Sequence, residues 1–236
     1  MSSPERQDID AIMQRLDQWV EKCGSGRYAP NDFVSTADTN FSLVEDFGIQ
    51  QVREEIRDFA NVLLDRKKLG RALEIGLGYF GSTHFLWRLI FDHVSTIEYQ
   101  KERVFLFREN CRKHFGKHVL DDGKSSFFFG LSSAPSTLKA VGDHIARAGG
   151  SLDMLFLDGD HRYEGVLVDW LLYKHLVSPG GLIAFHDAVS RISGAGVPRL
   201  LDQLSAGTID GVKRDLKRIV CSKDGGIAYY VQTERT

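Results

Sequence analysis

Two short segments concentrate the side chains that could do chemistry. FLDGDHRYEG, residues 156–165, places Asp158, Asp160 and His161 straight after an apolar stretch, and GGLIAFHD ends a second such stretch with His186 and Asp187. Carboxylates gathered in this way either hold a hard divalent cation or take a proton from a substrate hydroxyl. Asp and His ligands with open positions suit Mg²⁺, Mn²⁺ or Fe²⁺, and a histidine moves the balance toward the transition metals. Asp158, His186 and Asp187 form the expected metal set, and Asp160 and His161 are the candidate bases. The plainer alternative is that Asp160 or His161 caps a helix beginning near Tyr163 and that His186 is packed.

A third segment, EIGLGYFG, carries Gly76, Gly78 and Gly81 in a GxGxxG pattern between an expected strand and an expected helix. Glycines at these positions remove Cβ atoms where a nucleoside or a ligand backbone must come close. Glu98 lies 22 residues after Gly76, at the end of the next strand, where a carboxylate can accept hydrogen bonds from both hydroxyls of a ribose. NAD and an adenosyl cofactor fit these features equally. Glu74 separates them: NAD's anionic pyrophosphate gains nothing from an acid there, whereas an ammonium group, such as that in the methionine part of S-adenosylmethionine, would be drawn to it directly or through water. Against this stands the reading in which Glu74 is at the surface and the glycines only make a tight turn.

The elements that position these residues follow from periodicity. Short apolar runs at 71–76, 94–99, 125–130, 152–158 and 181–187 read as buried parallel strands. Helices are expected between them, from Ser82 to Phe91, Glu102 to His114, Ser136 to Ala148 and Tyr163 to Leu176. This is a doubly wound α/β pattern, and it places both chemical segments at the carboxyl edge of the sheet, where such folds bind ligands. LKRIVCS (216–222) and GIAYYVQ (226–232) flank a Gly-containing turn and read as an antiparallel C-terminal hairpin. Ahead of the strands, Ile9–Val20 and Ile49–Arg66 are amphipathic helices separated by a loop, Gly24–Asp46, whose Tyr28 and Phe33 could close over a ligand. The division expected is an N-terminal helical extension, 1–70, and one Rossmann-like domain, 71–236.

Composition narrows the ligand. Among 236 residues, 30 Lys and Arg nearly balance 32 Asp and Glu, so the net charge of −2 gives no electrostatic case for nucleic acid or an anionic membrane. A small molecule is the expected partner, and nothing in the sequence excludes a homo-oligomer. Cys23, Cys111 and Cys221 have no metal-binding spacing and read as reduced thiols. The polar start MSSPERQDID and the lack of a long apolar run make a cytoplasmic protein the expectation.

LEIGLGYFGST, IEY, FLDGDHRYEGV and LVSPGGLIAFHD together resemble the class I S-adenosylmethionine-dependent methyltransferases across residues 73–187. The DGDHxYEG segment followed by PGGxIxFHD is similar to the branch of cephalosporin-hydroxylase-like proteins and metal-dependent O-methyltransferases of antibiotic sugars. The resemblance implies a seven-stranded, mostly parallel sheet with an antiparallel final strand. It implies that Gly76, Gly78 and Glu98 bind the cofactor with Glu74 near its methionine end, and Gly81, Ser82 and Asp158 complete the expected cofactor set. It likens Asp158 and Asp187 to metal ligands and Asp160 to a general base, and puts His186 where several relatives have an acid. The activity implied is methyl transfer to a hydroxyl of a small molecule with help from a divalent metal. An NAD-dependent oxidoreductase and a non-catalytic adenosyl-ligand binder of the same fold are the rivals.

Overall fold

The computed structural model describes residues 8–23, 28–29, 51–66, 69–190 and 196–233. Five parallel strands, β1 (Arg71–Ile75), β2 (His93–Glu98), β3 (Ser125–Phe129), β4 (Leu152–Leu157) and β5 (Val177–His186), are joined by helices. β6 (Lys217–Ile219) and β7 (Ile227–Val231) complete a seven-stranded sheet of order β3-β2-β1-β4-β5-β7-β6, with β7 antiparallel to both β5 and β6. The expected mostly parallel sheet with its antiparallel hairpin is the one observed, except that β3, expected among the buried strands, is a half-buried strand at the sheet edge, paired on one side alone.

Helices cover both faces because every central strand is apolar on both sides. On one face, α1 (Ile9–Cys23), α2 (Arg53–Leu64), α3 (Ser82–Ile90) and α4 (Lys101–Phe115) bury Trp19, Phe59, Trp87 and Phe107 against Met154, Phe156 and Ala184. Trp19 stacks on Phe85 with ring centroids 4.5 Å apart. On the other, α5 (Pro135–Arg147), α6 (Tyr163–Tyr173) and α7 (Val197–Ala206) bury Val141, Trp170 and Leu200 against Leu155 and Ile183. Each fully buried large apolar side chain contributes roughly 1.5–3 kcal/mol relative to exposure. The N-terminal helices α1 and α2 therefore share a core with the sheet.

Three details depart from the sequence reading. β5 begins at Val177, and its early residues Ser178–Gly181 lie beside a register shift between Leu152 and Met154 of β4. α7 was not anticipated; Val197, Leu200, Leu201 and Leu204 give it an inner face behind Pro198. Of the loop expected over Gly24–Asp46, only Tyr28 and Ala29 lie within the described residues, and Phe33 is outside them. The Tyr28 hydroxyl donates to Asp17 on α1 at 2.8 Å, so this residue is tied to a helix. Cys23 and Cys111 are buried free thiols, Cys221 is partly exposed and free, and no helix among the described residues is long and apolar enough to cross a membrane.

Candidate active site

The glycine turn joins the ends of β1 and α3, and its three glycines serve different purposes. Gly76 has φ +93, and a Cβ there would lie 2.1 Å from the Asp158 carbonyl oxygen. The adjacent Asp158 N–H donates to the Ile75 carbonyl at 3.0 Å, so the loop after β4 is locked onto the turn. Gly81, at φ +63, would drive a Cβ to 2.4 Å from the Phe107 ring, which makes it a helix-packing glycine. Gly78, at φ +66, has open space where a Cβ would be, and it is the position at which a ligand can approach the backbone.

Glu98 holds this turn in shape. Its Oε2 accepts the Leu77 N–H at 3.0 Å, its Oε1 accepts the Gln100 N–H at 2.8 Å, and Arg103 Nη1 lies 3.6 Å away. A carboxylate has about four acceptor positions, so capacity for further donors is left at the strand's end. Glu74 sits elsewhere than its sequence position suggested. It is fully buried on the α1–α4 face of the sheet, where its Oε2 accepts from the Thr96 hydroxyl at 2.9 Å and lies 3.8 Å from His84 Nδ1, while Oε1 has no hydrogen-bond partner. Burial pushes its pKa up to about 8. A direct approach from the open edge is closed to it, because strand alternation in register with Thr96 and Phe156 turns the side chain under α3.

The acids after β4 and β5 do converge, because the two strands are neighbours. His186 Nδ1 lies 3.2 Å from Asp158 Oδ1 and 3.2 Å from Asp187 Oδ1, aligned as a hydrogen bond with neither. Asp187 Oδ2 holds His161 Nδ1 at 2.7 Å, and the His161 side chain is 46% exposed. Burial opposes charge on His186, but Asp158 and Asp187 outweigh it and its pKa stands well above the ordinary value. For His161, too, burial is overcome by Asp187 and Asp158, and the pKa is pushed up to about 9. Burial alone would raise the Asp187 pKa; the two imidazoles instead hold it far below the usual carboxylate range. Asp187 itself adopts φ +59, a left-handed conformation uncommon outside glycine and suggestive of a functional position.

Asp160 stands apart from this pair. Its carboxylate accepts the Arg162 backbone N–H at 3.0 Å and the Arg162 guanidinium at 2.6 Å, and that guanidinium lowers its pKa. The turn before α6 is built around it: a Cβ at Gly165 would lie 2.2 Å from its carboxyl carbon. Arg162 holds the Asp160 carboxyl below its ordinary range, which weakens it as a proton acceptor, and the part its geometry shows is local turn closure.

The expected metal set also changes meaning. Among the described residues no group of three His, Cys, Asp or Glu side chains is arranged to hold a metal ion. Asp158, His186 and Asp187 come together, but both acids already face the His186 imidazole, and Asp187 is also taken up by His161 Nδ1 at 2.7 Å. As arranged, these side chains do not fit a divalent metal.

One site residue escaped sequence reading. Gln51, just before α2, is 8% exposed; its Oε1 accepts from the Ser82 hydroxyl at 3.1 Å and its Nε2 donates to Asp158 Oδ2 at 3.4 Å. It links the first turn of α3 to the acidic loop. A lone glutamine before a helix has no spacing signal that could have marked it.

Residues 73–188 match the family model of a methyltransferase domain, a span that includes the glycine turn, Glu98, the Asp158 loop and Asp187. An uncharacterized protein of Acanthamoeba polyphaga mimivirus is 50% identical over 36 residues, 15% of this chain and 16% of that protein. Among solved structures, the O-methyltransferase TomG from Streptomyces achromogenes, involved in tomaymycin synthesis and bound to SAM, superposes with a TM-score of 0.57 at 16% identity, over 98% of this chain and 91% of its own. Cofactor-bound Rv0187 from MTB gives 0.56 at 18% identity over 99% and 100%. An O-methyltransferase from Bacillus cereus in complex with SAH gives 0.54 at 18% identity over 95% and 100%. Such identities speak for the fold, and residues 73–188 belong to a methyltransferase domain family, in line with the resemblance of this segment to the class I S-adenosylmethionine-dependent methyltransferases.

Proposed function

We propose that this protein transfers a methyl group from S-adenosylmethionine to a hydroxyl oxygen of a small molecule, with His161 as the base. The observation that carries the reading is the Asp187–His161 pair, 2.7 Å apart at the ligand edge, next to a loop locked onto the glycine turn. The cofactor would supply a sulfonium-bound methyl, an electrophile that needs only alignment and a good nucleophile.

The chain's own residues provide the rest. Gly78 leaves room for the nucleoside and Glu98 has acceptor capacity for the ribose hydroxyls. Glu74 acts on an ammonium group only through water or at a distance, since its carboxylate is fully buried. Gly76, Gly81 and Ser82 shape the pocket, Ser82 through Gln51. Asp187 fixes the ring of His161 through Nδ1, leaving Nε2 to accept the hydroxyl proton as the oxygen attacks. The C–S bond breaks as the O–C bond forms, and the proton ends on His161. No step is assigned to a metal.

A small acceptor agrees with a net charge of −2, which gives no electrostatic case for nucleic acid. The test has two arms. Calorimetry with S-adenosylhomocysteine and with NAD should show binding of the first alone. A labelled methyl donor offered with sugars, catechols, amines and RNA should yield methyl ethers. Tight NAD binding without adenosyl-ligand binding, or robust methylation of nitrogen or RNA, would overturn the proposal.

A further inference from the structure

We propose that the amino end of α2 is a positioning element for the site, in which Gln51 holds Asp158 and Glu55 holds the turn behind Asp187. The inference rests on reading Asp158, His161 and Asp187 as the reacting edge. Neither Gln51 nor Glu55 belongs to the family-matched span of 73–188, and both reach that edge from the same place.

Glu55 is 1% exposed, and its carboxylate is filled by donors of one turn. Oε1 accepts the Cys221 N–H at 2.7 Å, the Ser222 N–H at 2.9 Å and the Ser222 hydroxyl at 2.8 Å, and Oε2 accepts the Gly226 N–H at 3.1 Å. Charge-assisted bonds of this kind are roughly twice as strong as neutral ones, and four of them fix the β6–β7 turn to α2. That turn is itself bonded to the segment after β5: the Ala188 N–H donates to the Gly226 carbonyl at 3.2 Å and the Val189 N–H to the Gly225 carbonyl at 2.9 Å. The residue immediately before this clamp is Asp187, in its left-handed conformation. The Glu55 carboxylate thus fixes the frame from which the Asp187 side chain reaches His161.

Gln51 performs the matching task for the other acid. Its carboxamide is buried between Ser82 and Asp158, and its backbone carbonyl accepts the Ala29 N–H at 3.2 Å, which anchors it from behind. Asp158 and Asp187 face each other only across His186 Nδ1, at 3.2 Å on each side. β4–β5 pairing sets the spacing of the two backbones, and with no aligned hydrogen bond spanning the gap, the spacing of the two side chains depends further on what holds their loops. α2 holds both.

Glu55→Gln and Gln51→Ala test this beside Leu63→Ala, which removes core packing toward the other end of the same helix. The Glu55 and Gln51 variants should lose about 10- to 100-fold in kcat, as expected for a displacement near 1 Å, with acceptor KM changed less than about threefold in both and S-adenosylhomocysteine affinity changed less than about threefold in Glu55→Gln. Leu63→Ala should lower the melting temperature and keep kcat. In NMR spectra, the His161 Nδ1–H resonance, shifted by its bond to Asp187, should move or broaden in Glu55→Gln and persist in Leu63→Ala. Retained kcat in both loop variants, or an equal loss in Leu63→Ala at the same loss of melting temperature, would overturn the proposal. If the wild-type protein methylates no acceptor, the function proposed above fails by itself and the resonance decides this inference: unchanged in Glu55→Gln, it refutes the clamp.

Discussion

Asp187→Asn separates the two things Asp187 does for His161. The change keeps the side chain's shape, and Asn tolerates the φ of +59 at this position at least as well as Asp, so the backbone should be undisturbed. Without the negative charge, the His161 pKa should fall from about 9 toward its ordinary 6.5. At pH 7 the neutral, proton-accepting fraction would rise from about 1% to about 75%, a gain of roughly 70-fold if protonation alone mattered. The orienting hydrogen bond acts in the opposite direction. An Asn amide that donates to Nδ1 selects the wrong tautomer and leaves the proton on Nε2, a defect worth about 10⁴-fold in the comparable Asp-to-Asn change of a serine-protease triad. The net deficit should therefore be about 10²-fold at pH 7, widening toward about 10⁴-fold above pH 9, where the wild-type imidazole is already neutral. Single-turnover rates across pH 6–10 with saturating cofactor would read this. A deficit that stays constant with pH, or a variant faster than wild type at neutral pH, would refute the Asp187–His161 reasoning.

Three further outcomes follow from the same geometry. Glu98→Ala removes the acceptor of the Leu77 and Gln100 N–H groups, and S-adenosylhomocysteine affinity measured by calorimetry should fall about 10- to 100-fold, on the order of 1.5–3 kcal/mol. Chelation should leave the rate unchanged and elemental analysis of protein purified without chelator should find no stoichiometric metal, because imidazoles already face both acids; loss of activity on chelation with recovery on adding Mg²⁺ or Mn²⁺ would restore the metal. Asp160→Asn should cost less than about tenfold in rate, against the 10²- to 10⁴-fold expected of a lost general base, since Arg162 occupies its carboxylate.

Much of the scaffold could be read from the residue pattern. The apolar runs that became β1, β2, β4 and β5 are too short for helices and too apolar for an exposed sheet, and the βαβ rhythm then fixed parallel order and the ligand edge, whereas β3, read as buried in the same way, is a half-buried edge strand. The terminal hairpin was marked by its Gly-containing turn, although β6 is only three residues long. α7 was missed because its apolar positions follow a segment rich in Gly and Ser, where periodicity is short and easily taken for loop.

What the sequence determined alone was therefore local: element types and order, the GxGxxG turn, and the gathering of Asp158, Asp160, His161, His186 and Asp187 at one edge. Which of these side chains act together was decided by tertiary structure. Glu74 lies in a strand so apolar that alternation gives no clue to its face, and only pairing with Phe156 and Thr96 sends it under α3. Asp160 and His161 are adjacent in sequence, yet one is captured by Arg162 two residues away and the other by Asp187 on the neighbouring strand's end. Gln51 and Glu55 reach partners 107 and more than 160 residues further on. Periodicity records what each residue does with its near neighbours along the chain, whereas polar pairing depends on which strands and helices meet, and that is set by burial of the whole core.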